Sequence, residues 1–131
     1  MNNYRYLLIF IIAVFSNAYA FQFKVETVEQ FDDLNIVTFT NPEDMRNNPE
    51  WNPNLEAPPL TVNEAIQAVK KFTKSLKPIK EIEIRTIPKH KNQWHYLIKV
   101  ANKSMKSKYN IYMVLMNGKV IPAIIQPQGY K

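Results

Sequence analysis

Cysteine is absent from this 131-residue chain. No disulfide can staple the fold, no thiolate can act as nucleophile or metal ligand, and no lipoprotein anchor cysteine follows the apolar start. Histidine is nearly as scarce. His90 falls in a polar turn and His95 on a strand, without the clustered spacing a metal site needs. Long hydrophobic runs are missing too. Tyr6 to Phe15 is the most apolar stretch, and it is about half of the roughly 20 residues that cross a bilayer. Acids thin out abruptly, since beyond Glu64 only Glu81 and Glu83 remain. No internal repeat is visible.

That apolar run is nevertheless informative. Arg5 is the only charge before it, and Ser16-Asn17-Ala18-Tyr19-Ala20 closes it with small residues at Ala18 and Ala20. A positive start, a short greasy centre and an Ala-x-Ala end predict a signal peptide over residues 1–20, removed near Ala20. The expected product is exported, periplasmic or secreted, with no membrane span after cleavage. It begins at Phe21 and keeps 111 of the 131 residues, enough for one domain with a modest core.

Charge divides this remainder in two. From Phe21 to Glu64, two basic residues face nine acids, a net of −7; from Ala65 to Lys131, fourteen basic residues face two acids, a net of +12. Such halves can attract one another or present charged faces to a partner, although a salt-screened surface accounts for most charge runs.

The acidic half reads as extended up to Thr40, where Leu34–Thr40 is β-branched and aromatic. Asn41 to Pro59 carries Pro42, Pro49, Pro53, Pro58 and Pro59, which favours an extended arm. Trp51 is expected to pin that arm to the domain. A helix follows. Thr61-Val62-Asn63-Glu64 fits a capping box. Val62, Ala65, Ile66, Val69, Phe72 and Leu76 recur at helical steps as one core-facing stripe, and Pro78 ends the helix. Three further runs alternate as strands: Ile79–Ile87, Trp94–Ala101 and Tyr109–Met116. Asn117-Gly118 signals a two-residue hairpin into a last strand, Lys119–Ile125, with Pro122 tolerable on an edge. Ile111, Met113 and Leu115 oppose Tyr112, Val114 and Met116, so both faces of the third strand are apolar. This predicts a central strand whose second face is covered, with the acidic segment as the candidate cover. The expected fold is α+β, one helix packed on a four-stranded antiparallel β-meander with an extended N-terminal strand or arm. Its divisions are 1–20 signal peptide, 21–58 acidic segment and Pro-rich arm, and 59–131 helix-plus-sheet domain.

Catalytic patterns are weak. Asp32-Asp33 are adjacent and Glu81, Glu83 and Arg85 share a face, which suggests charge compensation rather than an acid–base pair across a cleft. Ser75, Ser104 and Ser107 sit beside lysines, and no histidine is near in sequence. No catalytic, cofactor or metal residue is expected. The basic residues make a geometric case. In a meander, the helix C-terminus, the first strand's start and the loop after the second strand share one end of the sheet. That end would gather Lys74, Lys77, Lys80, Lys103, Lys106 and Lys108 as an anion- or partner-binding cluster, with a solubility-giving surface as the competing reading. Aromatics are too sparse there for nucleic acid.

Leu60-Thr61-Val62-Asn63-Glu64-Ala65-Ile66, Trp94–Val100 and Tyr112–Val120 together resemble a PepSY-type domain. The likeness spans Pro59 to Ile125, roughly 60% of the chain from Phe21. The arm and the acidic segment lie outside the pattern, and Asn117 stands where that family has an acid before the hairpin Gly. The resemblance implies a small exported domain of cystatin-like layout, associated in some members with restraint of peptidases, and no shared catalytic residues. The functional expectation is an exported, non-enzymatic binding module that restrains a peptidase or serves a protein of the envelope or extracellular space. The alternative is an anion- or surface-binding protein working through the lysine cluster.

Overall fold

The computed structural model describes residues 23–102 and 108–127; the expected signal peptide lies outside them. The chain is α+β, with two antiparallel sheets and two helices among the described residues. None of the described helices is long and apolar enough to cross a membrane.

The acidic segment is more ordered than an arm. Strands β1 (Val25–Phe31) and β2 (Leu34–Thr40) pair from Val25 opposite Thr40 to Phe31 opposite Leu34. Asp32 and Asp33 form the connection, and Asp32 adopts φ 55°, a region that Asp tolerates better than most residues. Phe31 and Ile36 are buried on the inner face. Asn41 and Pro42 do end β2, but Pro42 opens a short helix, α1 (Pro42–Asn47). Proline's fixed φ suits the first helical position, and Glu43 and Asp44 favour the helix start. The arm therefore runs only from Asn48 to Leu60, and it folds into a turn where the Leu55 and Glu56 amides donate to the Asn52 carbonyl. Trp51 is buried, stacks edge-on against Trp94 at 5.0 Å, and donates Nε1–H to the Glu56 carbonyl at 2.9 Å.

Helix α2 spans Val62–Thr73. Thr61 Oγ1 accepts from the Glu64 amide at 3.1 Å, and its hydroxyl donates to Glu64 Oε1 at 3.0 Å. The reciprocal bond is thus to the hydroxyl rather than the backbone. The buried stripe is shorter than periodicity predicts. Ala65 and Val69 are buried, whereas Val62, Phe72 and Leu76 are 44%, 52% and 89% exposed. For Leu76 the reason is where the helix stops. Lys74 turns left-handed at φ 52°, ψ 32°, with its amide still bonded to the Lys70 carbonyl at 2.8 Å. Pro78 is not the terminator, and Leu76 lies beyond the last turn.

Strands β3 (Ile79–Thr86), β4 (Trp94–Ala101), β5 (Tyr109–Leu115) and β6 (Val120–Pro122) form the larger sheet in that order. The β5–β6 turn differs from expectation. The Gly118 amide donates to the Leu115 carbonyl at 2.9 Å, and the Leu115 amide to Lys119 at 3.0 Å. The loop therefore has three residues, and Gly118 supplies its positive φ of 87°; a two-residue type I′ turn needs two such residues. After Pro122 the chain changes sheets. Strand β7 (Ile124–Ile125) pairs with β2, Ile125 opposite Ile36.

Three layers result. On one face of the larger sheet, Tyr96, Ile98 and Val114 pack with Ala65 and Val69 of α2 and with Trp51 and Leu60 of the arm. On the other, Leu97, Ile111, Met113 and Leu115 pack against Phe31 and Ile36 of the smaller sheet and Met45 of α1. The second face of β5 is indeed covered by the acidic segment. Each core draws residues from both sides of position 58.

Candidate functional site

Strand β4 carries the polar groups that look most like chemistry. His95 is 0% exposed. Its Nδ1 lies 3.2 Å from the Tyr96 carbonyl, which can only accept, so Nδ1 bears the hydrogen. Its Nε2 lies 3.0 Å from Glu29 Oε1 of β1, while Glu29 Oε2 has no partner. A histidine–carboxylate pair can move protons. This one is sealed between two sheets and joins them. Four residues further on, on the same face, Lys99 is 7% exposed. Its ammonium bonds Asp32 of the β1–β2 turn and Glu81 of β3, and faces the Phe31 and Tyr109 rings at 4.8 and 5.0 Å.

The charges here set protonation. The Lys99 hydrogen bond, then that of Glu81, holds Asp32 below its usual range. Burial alone would lower Lys99, but its bonds to Asp32 and Glu81 outweigh burial and raise it. The Asp32, Glu81 and Glu83 carboxylates lie within 4.8 Å of one another, and Lys99, together with Arg85 on Glu83, supplies positive charge to that group. The opposed halves of the sequence thus do meet. Sequence reasoning read Asp32 as a surface acid and His95 as a strand residue, and singled out no role for Glu29; the usable signal was Asp32-Asp33 between two β-branched runs, which marks a hairpin.

The cationic end is different in kind. The Ala101 amide donates to the Pro78 carbonyl and the Asn102 amide to the Lys108 carbonyl, at 2.9 and 2.8 Å. These bonds bring Lys77, Lys80 and Lys108 to one end of the larger sheet, and Lys74 caps the helix that leads into it. All four are exposed, and among the described residues none is engaged in an ion pair. Lys103 and Lys106 lie outside the described residues. Sequence reasoning missed that apolar side chains protrude among these lysines. Phe72 meets Tyr112 edge-on at 6.1 Å and lines a groove of about 520 Å³ with Lys71, Lys119 and Val120. Leu76 stands between Lys74 and Lys77.

A second groove of about 880 Å³ runs between the arm and the β3–β4 loop, lined by Asn52, Asn54, Lys89, His90, Lys91 and Trp94. His90 therefore lies at a groove wall. Lys89 and Asn92 of this loop take φ 67° and 60°, and the Asn92 carbonyl accepts from the Trp51 amide at 3.0 Å.

No family model, no curated protein and no solved structure matches this chain.

Proposed function

We propose that the chain is an exported, non-enzymatic binding module that meets an anionic surface through the lysine-rich end of its larger sheet. One observation carries this reading. Lys74, Lys77, Lys80 and Lys108 gather at one end without an ion pair among the described residues, while Lys99, His95 and Arg85 are engaged within the fold. Unpaired cations in a group raise the local potential, attract anions and impose a salt dependence on binding.

The test is chromatography of the chain from Phe21, which holds every described strand and helix, on immobilised heparin with a salt gradient. The wild type should be retained at low salt, and K74E/K77E/K80E should elute far earlier. K89E/K91E, in the other groove, should elute close to the wild type. Retention unaffected by salt, or lost equally in both variants, would remove this reading.

A second reading, restraint of a peptidase or service to an envelope protein, rests on the PepSY-like resemblance. It is favoured by the two local features that the resemblance quotes, the Thr61-capped helix start and the Gly118 hairpin.

A further inference from the structure

The lysines alone do not explain this end of the molecule. Leu76 extends into water from the segment joining α2 to β3, and Phe72 shows half of its ring one turn earlier. Lys70, Lys71, Lys74 and Lys77 are interleaved with them in sequence, and Lys119 flanks Phe72 across the groove. Asp44 approaches Lys119 at 4.0 Å; no other ion pair reaches this set among the described residues.

The segment carrying Leu76 is held in shape. Thr73 Oγ1 donates to the Val69 carbonyl at 2.9 Å and accepts from the Ser75 amide at 3.3 Å, and Ser75 Oγ accepts from the Lys77 amide at 3.2 Å. Leu76 is thus presented by a fixed turn, and little ordering entropy remains to be lost on docking.

Building on the anionic-surface reading above, we infer that the partner surface is a lipid bilayer carrying anionic phospholipid headgroups, into whose interface Phe72 and Leu76 insert. A dissolved polyanion satisfies lysines but leaves both apolar side chains in water. A bilayer interface satisfies both: the ammonium groups stay at headgroup level on their flexible stems while the apolar groups between them pass into the acyl boundary. Protruding apolar residues alternating with lysines along residues 70–77 fit that boundary in composition and in charge.

The experiment is co-sedimentation of the chain from Phe21 with vesicles of phosphatidylcholine alone or mixed with phosphatidylglycerol. Binding is expected to the mixed vesicles and not to the neutral ones. L76S should weaken it roughly tenfold, as expected for one large apolar side chain leaving the interface, and F72A by a similar factor. Both variants should keep wild-type heparin retention. Leu76 is already in water, so L76S does not threaten the fold; far-UV circular dichroism checks F72A, which loses the Tyr112 contact. Failure to bind mixed vesicles, or binding unchanged in L76S, overturns the lipid inference. If heparin retention persists in either case, the anionic-surface reading survives; if that is absent too, both fall.

Discussion

His95 and Glu29 are the two residues whose roles depart furthest from their appearance in the sequence. On a strand that alternates with Trp94, Tyr96 and Ile98, His95 looks like the outward residue of a half-exposed sheet. The smaller sheet covers that outward face, so the ring is buried against a buried carboxylate. Removing one partner leaves the other without its hydrogen bond in a dry site, and such truncations cost about 3–5 kcal/mol. H95L is therefore expected to lower the urea midpoint sharply, while E29M/H95L, which removes both polar groups, should recover most of the loss. A double variant no better than the single one would show that the pair is not the source of the cost. Asn48 was equally hidden. It is a buried side chain in a Pro-rich stretch whose Oδ1 accepts from the Met116 amide at 2.7 Å and whose Nδ2 donates to Gln93 Oε1 at 2.6 Å. Both partners are distant in sequence, and no local pattern announces them.

At the scale of the element, local chemistry was legible where it was strong. The Thr61 cap, the three longer strands and the Asn117-Gly118 reversal were all readable, because caps, alternation and glycine act over a few residues. Helix length was not. The stripe Val62 to Leu76 continues past the real end because the sequence has no glycine at the stop; Lys74 takes the left-handed conformation instead. That conformation costs a residue with a Cβ about 1 kcal/mol. K74G should accordingly raise stability by roughly that amount in thermal or urea unfolding, even as it removes one charge from the proposed surface. A lower midpoint would mean that the lysine stem contributes packing that outweighs the strain. The exposed Leu76 follows from the same fact, since the helix rests on β5 and β6 and stops before reaching it.

For the molecule as a whole, the charge asymmetry read from the sequence was right in sign and silent about geometry. It could not tell that the acidic segment forms a second sheet, because inter-sheet pairing depends on residues far apart in the chain. Its consequences are testable through pH. Burial raises the Tyr96 hydroxyl above the ordinary tyrosine range, with the Glu64 charge adding to it, and Lys99 is raised as described. Both hold their protons in the fold after the unfolded chain has lost them. Their contribution is full below about pH 10 and disappears as pH rises through the folded values. Asp32 acts oppositely: lowered in the fold, it stabilises above about pH 4 and that contribution is lost as pH falls through its folded value. Melting temperature should thus hold a plateau between these limits and fall at either end. Y96F should flatten part of the alkaline fall, and an unchanged alkaline limb would assign it elsewhere.

The smaller sheet is closed by strands from opposite ends of the described chain, Ile36 beside Ile125. A ribosome delivers the β1–β2 hairpin long before it delivers β4, β5 and β7. Until those later strands emerge, Phe31 and Ile36 lack the apolar face that buries them in the fold. A polypeptide in that condition can still be threaded through a narrow pore.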